Sequence, residues 1–248
     1  MSLPVDHVFV INLDRRPEKW RRTQQLLASV GIAAERISAI DANGASHEAA
    51  RTACKLSHIR TLLRAVAAGY RRIAVFEDDV LPAKQLCFDL LRDHDWRFVY
   101  LGATQVDWSG ISPEAGFYRP HKTLGTWAMA IDQRYYERLI AAYAASLVSA
   151  DLTLQTELAN DPHSLVLYPN RFITDVSISD IHPVKYPQNF TDLCRWDLKQ
   201  YNGTEALVTD DASKERNPWS SRTKVLAAPP ATVSPAPPDP AVNPAATV

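Results

Sequence analysis

Four apolar residues, Ile73-Ala74-Val75-Phe76, run without a break into three acids, Glu77-Asp78-Asp79. A short continuous apolar run reads as a strand buried on both faces. Three carboxylates at the end of such a strand need compensation, because like charges this close raise one another's pKa or bind a cation. Oxygen ligands suit Mg²⁺ or Mn²⁺. The plainer reading of the same residues is a solvated acidic turn that caps a helix near Pro82.

Other segments fit the same kind of sheet. Val8 to Ile11 is a second apolar run, and Glu35 to Ile40, Phe98 to Leu101 and Trp127 to Ile131 read as further strands. Between them, Asp14 is placed to cap a helix that has Pro17 in its first turn and buries Trp20, Leu26, Leu27 and Val30 before stopping at Gly31. Ala53 to Ala68 reads as a helix with Leu56, Ile59, Leu63 and Val66 on its buried side and Gly69 as its end. Gln133 to Ala145 is another helix, and a further one runs from Asp151 to Asn160. Alternation of this kind predicts an α/β sandwich around a mostly parallel sheet, with ligands at the carboxyl ends of the strands. Two polar clusters fall at such ends: Asn12 to Arg16, and Glu77 to Asp79.

Composition narrows the function classes. A formal net charge of -1 over 248 residues argues against a dedicated nucleic-acid binder. Cys54, Cys87 and Cys194 are far apart and form no CxxC pair, which excludes a zinc ribbon and a thioredoxin-type site. So sparse a cysteine content fits a reducing compartment. The N-terminus lacks a basic region followed by an apolar one. The expectation is a cytoplasmic protein, with at most peripheral membrane contact at the inner face of a membrane. Residues 1–200 read as one domain, 201–226 as a polar extension, and 227–248, rich in Pro and Ala, as a disordered tail.

Several residues could carry chemistry. Arg15 and Arg16 lie in a strand-to-helix turn, where backbone N–H groups also point at anions, and could hold a nucleotide or its phosphates. Lys19, Arg21 and Arg22 read as a solvated helix face. His58 sits inside a helix and His182 in a loop before Pro183; either is a packed or surface histidine unless other groups join it. Asp151 reads either as a helix N-cap or as a general base for an acceptor hydroxyl. Asp107, Trp108 and Trp127 are weaker candidates for sugar contacts, and core packing is the simpler reading of Trp127.

Taken in order, the motifs resemble glycosyltransferase family 25. Val10-Ile11-Asn12-Leu13-Asp14-Arg15-Arg16-Pro17-Glu18 is similar to its opening "INLDRRPER" block. Glu35 to Asp41, Ala53-Cys54-Lys55-Leu56-Ser57-His58 and Val75-Phe76-Glu77-Asp78-Asp79-Val80 resemble the blocks that follow, and Gly125 to Ile131 and Ser179-Asp180-Ile181 resemble two weaker later ones. The resemblance implies a GT-A-like, Rossmann-type three-layer sandwich. It implies a UDP-sugar donor and a glycan, lipid-linked glycan or protein acceptor, with galactose or glucose as the transferred hexose. It further implies Mn²⁺ or Mg²⁺ held by Glu77 and Asp79, with His182 as a late ligand. Donor contacts fall on Asn12, Asp14, Arg15, Arg16, Ser57, His58 and Asp78. An inverting reaction needs a base on the acceptor side, and Asp151 occupies the corresponding late acidic position.

The sequence departs from the family pattern in two places. Ala49-Ala50-Arg51-Thr52 separates Glu48 from the Cys-x-Leu-Ser-His block, and Trp127, or a neighbour, and Asp132 stand where the family has Tyr and Ser. Those departures keep a second reading open: a non-catalytic nucleotide- or glycan-binding relative. A phosphohydrolase of the aspartate type would need Asp at the first acidic position, where this chain has Glu77.

Overall fold

The computed structural model describes residues 2–159, 161–175 and 187–204. Among the described residues, seven strands form the main sheet: β1 (His7–Asn12), β2 (Glu35–Ser38), β3 (Arg72–Glu77), β5 (Phe98–Gln105), β6 (Phe117–Tyr118), β7 (Thr123–Asp132) and β8 (Ser164–Leu167). They lie in the order β2-β1-β3-β7-β5-β8-β6. β4 (Val80–Pro82) and β9 (Phe172–Thr174) form a separate antiparallel pair. β1 runs parallel to β2 and β3, and β5 runs parallel to β8. β7 is antiparallel to both β3 and β5, and β6 is antiparallel to β8. Five strands therefore share one direction, and the reversed β7 joins the two parallel halves.

The buried strands alternate cleanly between two apolar layers. Val8, Val10, Ala74, Phe76, Val99, Leu101, Ala128 and Ala130 belong to one layer, which holds Leu27 of α1 (Pro17–Ser29) and the β4–β9 pair. Phe9, Ile11, Ile73, Val75, Phe98, Tyr100, Met129 and Ile131 belong to the other. That second layer is covered by α2 (His47–Ala68), α4 (Tyr136–Ala145) and α5 (Ala150–Leu158). The short α3 (Leu90–Asp93) adds Leu91, and α6 (Pro187–Cys194) adds Cys194, to the first layer. The result is a three-layer α/β sandwich, the architecture that the motifs imply.

Several local expectations need correction. Asp14 does not cap α1: the N-cap is Arg16, without a side-chain cap bond, and Asp14 instead accepts hydrogen bonds from Arg36 and Ser38. Helix α2 begins six residues earlier than the apolar spacing suggests, because Ser46 accepts from the Ala49 N–H and caps it there. Its buried side is Ala53, Ser57, His58, Thr61, Leu62 and Ala65, whereas Leu56, Leu63 and Val66 face outward. Asp151 is not the N-cap of α5, a position that Ser149 holds.

Trp127 is a core residue, 7% exposed, edge-on to Trp196. Two glycines make room for its ring. A Cβ on Gly125 would lie 2.3 Å from the ring, and one on Gly102 would lie 2.7 Å from its indole nitrogen and 2.0 Å from the Phe172 carbonyl oxygen. Among the described residues, no helix is long and apolar enough to cross a membrane. The expected late ligand His182, the Ser179-Asp180-Ile181 block, residues 205–226 of the extension and the tail 227–248 lie outside the described residues.

Candidate functional site

The carboxyl ends of β1, β2 and β3, together with the inner face of α2, enclose a cleft of about 390 Å³. Its walls include Leu13 and Arg15 after β1, Ile40 and Asp41 after β2, Cys54, Ser57 and His58 on α2, and the whole Glu77-Asp78-Asp79 turn. The volume falls within the range of small-molecule sites. The parallel strands leave this crevice because their neighbouring loops diverge at their carboxyl ends.

Each acid in the turn has a different environment. Glu77 ends β3; its Oε1 accepts from Thr126 Oγ1 at 2.5 Å and lies 3.2 Å from His58 Nε2. Asp78 accepts from Asn12 Nδ2 at 2.6 Å and faces the Lys19 ammonium at 3.8 Å. Burial pushes the Asp78 carboxyl up to about 6; Asp79 and Glu77 push in the same direction, and Lys19 and Asn12 pull it back. Asp79 Oδ2 accepts from Thr174 Oγ1 on β9 at 2.9 Å, which ties the turn to the small sheet.

These donors fit a hard divalent cation in kind. Three carboxylates line one cleft, and Asp78 holds its proton well above the ordinary carboxylate range, a penalty that a nearby dication would relieve. A second donor set overlaps the first. Cys54, His58 and Glu77 bring a thiol, a ring nitrogen and a carboxylate oxygen within 4.8 Å of one another. Burial, followed by the charges of Glu77, Asp151 and Asp79, pushes the Cys54 thiol well above its ordinary value.

The sequence-derived candidates divide by position. Arg15, Ser57, His58, Glu77, Asp78 and Asp79 all line the cleft. Arg15 Nε pairs with Asp41 at 2.8 Å, and Ser57 Oγ accepts from the Ile40 N–H at 2.8 Å, so each helps to hold the loop after β2. Asn12, Asp14 and Arg16 are not in the lining. Asn12 is 1% exposed and accepts from Arg36 Nε at 2.7 Å while donating to Asp78, so it acts by holding Asp78. Asp14 anchors Arg36 from the other side at 2.6 Å, and the Ser38 and Arg36 hydrogen bonds lower its pKa. Arg16 pairs with Glu18 at 2.6 Å. Asp151 sits in the first turn of α5, where its Oδ1 accepts from Ser149 Oγ at 2.5 Å. Its charge is felt at Cys54, although it does not line the cleft.

Sequence reasoning missed three participants. Lys19, read as part of a solvated face, lines the cleft and pairs with Asp78. Arg22, read the same way, is ion-paired with Asp175. Thr126 holds Glu77 from the reversed strand β7. Only Lys19 carried a local signal, its place one helical turn after Arg15 and Arg16. Asp107 pairs with Lys122 at 2.9 Å, and the Trp108 ring lies under Arg195 at 4.3 Å.

Comparison with known proteins adds an independent line. No family model matches the chain. A Drosophila pseudoobscura pseudoobscura protein named glycosyltransferase 25 family member is 29% identical over 102 residues, covering 32% of this chain and 16% of the relative. The mouse protein named inactive glycosyltransferase 25 family member 3 is 29% identical over 133 residues, 41% of this chain and 22% of the relative. Its rat counterpart, named probable inactive, matches over the same length and covers 23% of the relative. The chain thus spans less than a quarter of the length of these curated relatives. A solved glycosyltransferase involved in the glycosylation of the major capsid of PBCV-1 aligns with a TM-score of 0.44 and 9% identity, over 66% of this chain and 81% of that one. In sequence, this chain is similar to proteins of glycosyltransferase family 25, the family that its motifs resemble.

Proposed function

We propose that the chain is a hexosyltransferase that moves galactose or glucose from a UDP-sugar to a hydroxyl of a glycan such as lipooligosaccharide, with inversion at the anomeric carbon. The observation that carries this reading is the joining of two motif blocks in one cleft: Arg15, after β1, and Glu77-Asp78-Asp79, after β3, line the same cavity. Basic and acidic groups side by side suit a diphosphate held through a dication. Glu77 and Asp79 would hold Mn²⁺ or Mg²⁺, with His182 as a further ligand. The ion would supply charge neutralisation for the departing nucleotide.

The chain's own groups have defined tasks in this reading. Arg15 binds the donor phosphates. Ser57 and His58 border the donor from α2, and Asp78 contacts it from the acidic turn. Asn12, Asp14 and Arg16 support donor binding from behind, Asn12 by fixing Asp78. Asp151 takes the proton of the acceptor hydroxyl as it attacks the anomeric carbon. Work at the inner face of a membrane, through peripheral contact, would suit a lipid-linked acceptor.

The decisive assay measures UDP release that depends on both acceptor and metal across a panel of UDP-hexoses. Transfer by the wild type, and its loss in Asp79→Asn with folding retained, is the expected outcome. Wild-type turnover in Asp79→Asn would overturn the metal assignment. A second reading is a non-catalytic nucleotide- or glycan-binding relative, favoured by the names of the mouse and rat relatives, both called inactive. It predicts nucleotide binding without transfer for every donor tested.

A further inference from the structure

The cleft contains a donor set that does not match the hard-cation chemistry expected of its acidic turn. Cys54 and His58 are four residues apart on α2, so both project from one face of the helix. That face meets the end of β3, where Glu77 emerges, and all three residues line the cleft. Their ligand atoms lie within 4.8 Å of one another, and His58 Nε2 is already 3.2 Å from Glu77 Oε1. Two ligands about 2.0–2.1 Å from a tetrahedral ion stand about 3.3 Å apart, so that pair needs almost no movement.

We propose that Cys54, His58 and Glu77 form a binding site for a borderline-soft dication, Zn²⁺ above all, with a fourth position open to the cleft. Sulfur and imidazole donors select against Mg²⁺ and Mn²⁺ and in favour of zinc. Three protein ligands with one open position is the arrangement of an exchangeable or reactive zinc site, in contrast to a closed structural one. Thr126 Oγ1, 2.5 Å from Glu77 Oε1, supplies the outer hydrogen bond that orients the carboxylate. Because Glu77 is also an expected ligand of the harder ion, the two metals would exclude each other. The zinc site itself stands whether or not the chain transfers a sugar.

The test uses the full chain, reduced, with Co²⁺ as a spectroscopic probe and Zn²⁺ as competitor. One equivalent of Co²⁺ should produce a near-ultraviolet thiolate-to-cobalt charge-transfer band, and Zn²⁺ should bleach it. Cys54→Ser should lose the band and weaken Zn²⁺ binding by more than about 100-fold, whereas Cys87→Ser, at an exposed cysteine outside the cluster, should keep both. His58→Gln, which keeps the thiol in place, should weaken Zn²⁺ binding by a similar factor and shift the cobalt band. That variant decides the matter if Cys54→Ser does not fold. A cobalt spectrum without the thiolate band, a band that survives in folded Cys54→Ser, or Zn²⁺ binding unchanged in folded His58→Gln would overturn the proposal.

Discussion

Helices α2 and α4 cover the same side of the sheet, yet they bury different chemistry. α4 turns Tyr136, Leu139 and Tyr143 inward, as an amphipathic helix over a core should. α2 turns Ala53, Ser57, His58 and Thr61 inward and leaves Leu56, Leu63 and Val66 at 42%, 52% and 52% exposure. Its polar groups are satisfied locally: Ser57 Oγ donates to the Ala53 carbonyl at 2.7 Å, and Thr61 Oγ1 donates to the Ser57 carbonyl at 2.9 Å. Small side chains also let the helix lie close to the strand ends. α2 thus gives up packing area on its inner face to form a wall of the cleft, whereas α4 packs the core, with its Tyr143 ring centroid 5.8 Å from that of His58.

Three substitutions test this division of roles. The largest effect should come from α4. Leu139 is fully buried, and Leu139→Ala should cost about 2–5 kcal/mol through lost transfer energy and a cavity. Denaturant unfolding would measure it, and a cost below about 1 kcal/mol would mean that α4 is not the packing helix described here.

Asp78→Asn should act in the opposite direction. The folded carboxyl is pushed up to about 6 from an ordinary 3.8, so the native state favours the protonated form. The matching stability is present below pH 3.8 and is lost as pH rises through about 6. Removing the charge should therefore stabilise the metal-free protein by up to about 3 kcal/mol at pH 7, and the gain should fade towards pH 4. Unfolding curves at several pH values would check this; an equal gain at both ends of the range would contradict it. The smallest effect should be that of Leu63→Gln on the outer face of α2, within about 0.5 kcal/mol in the same unfolding assay. A loss of several kcal/mol there would reverse the assignment of the two faces.

The strands were the most legible part of the sequence. Val8 to Ile11 and Ile73 to Phe76 are continuous apolar runs because the sheet is buried on both sides, and both fall inside the observed β1 and β3. The position of the cleft at the carboxyl ends of β1, β2 and β3 is where strand direction places it. The reversal of β7 was not legible, because an apolar run such as Trp127 to Ile131 carries no sign of its direction. The face of α2 was misread for a physical reason: apolar spacing marks the core only where packing decides which residues face inward, and here the cleft decides. The contact of Thr126 with Glu77 joins residues distant in sequence, so no local pattern could announce it.

If the acidic turn and the α2 wall form one site for a nucleotide and a divalent cation, the two ligands stabilise the fold together. Unfolding of the wild type and Asp79→Asn with UDP and Mn²⁺, separately and together, reads this out. A ligand at about 100 times its dissociation constant adds roughly 2.7 kcal/mol to the stability of the state that binds it. A gain of that order is expected for the wild type only when both components are present, and it should be lost in Asp79→Asn. No gain with UDP or any other nucleoside diphosphate, with or without Mn²⁺, would contradict it.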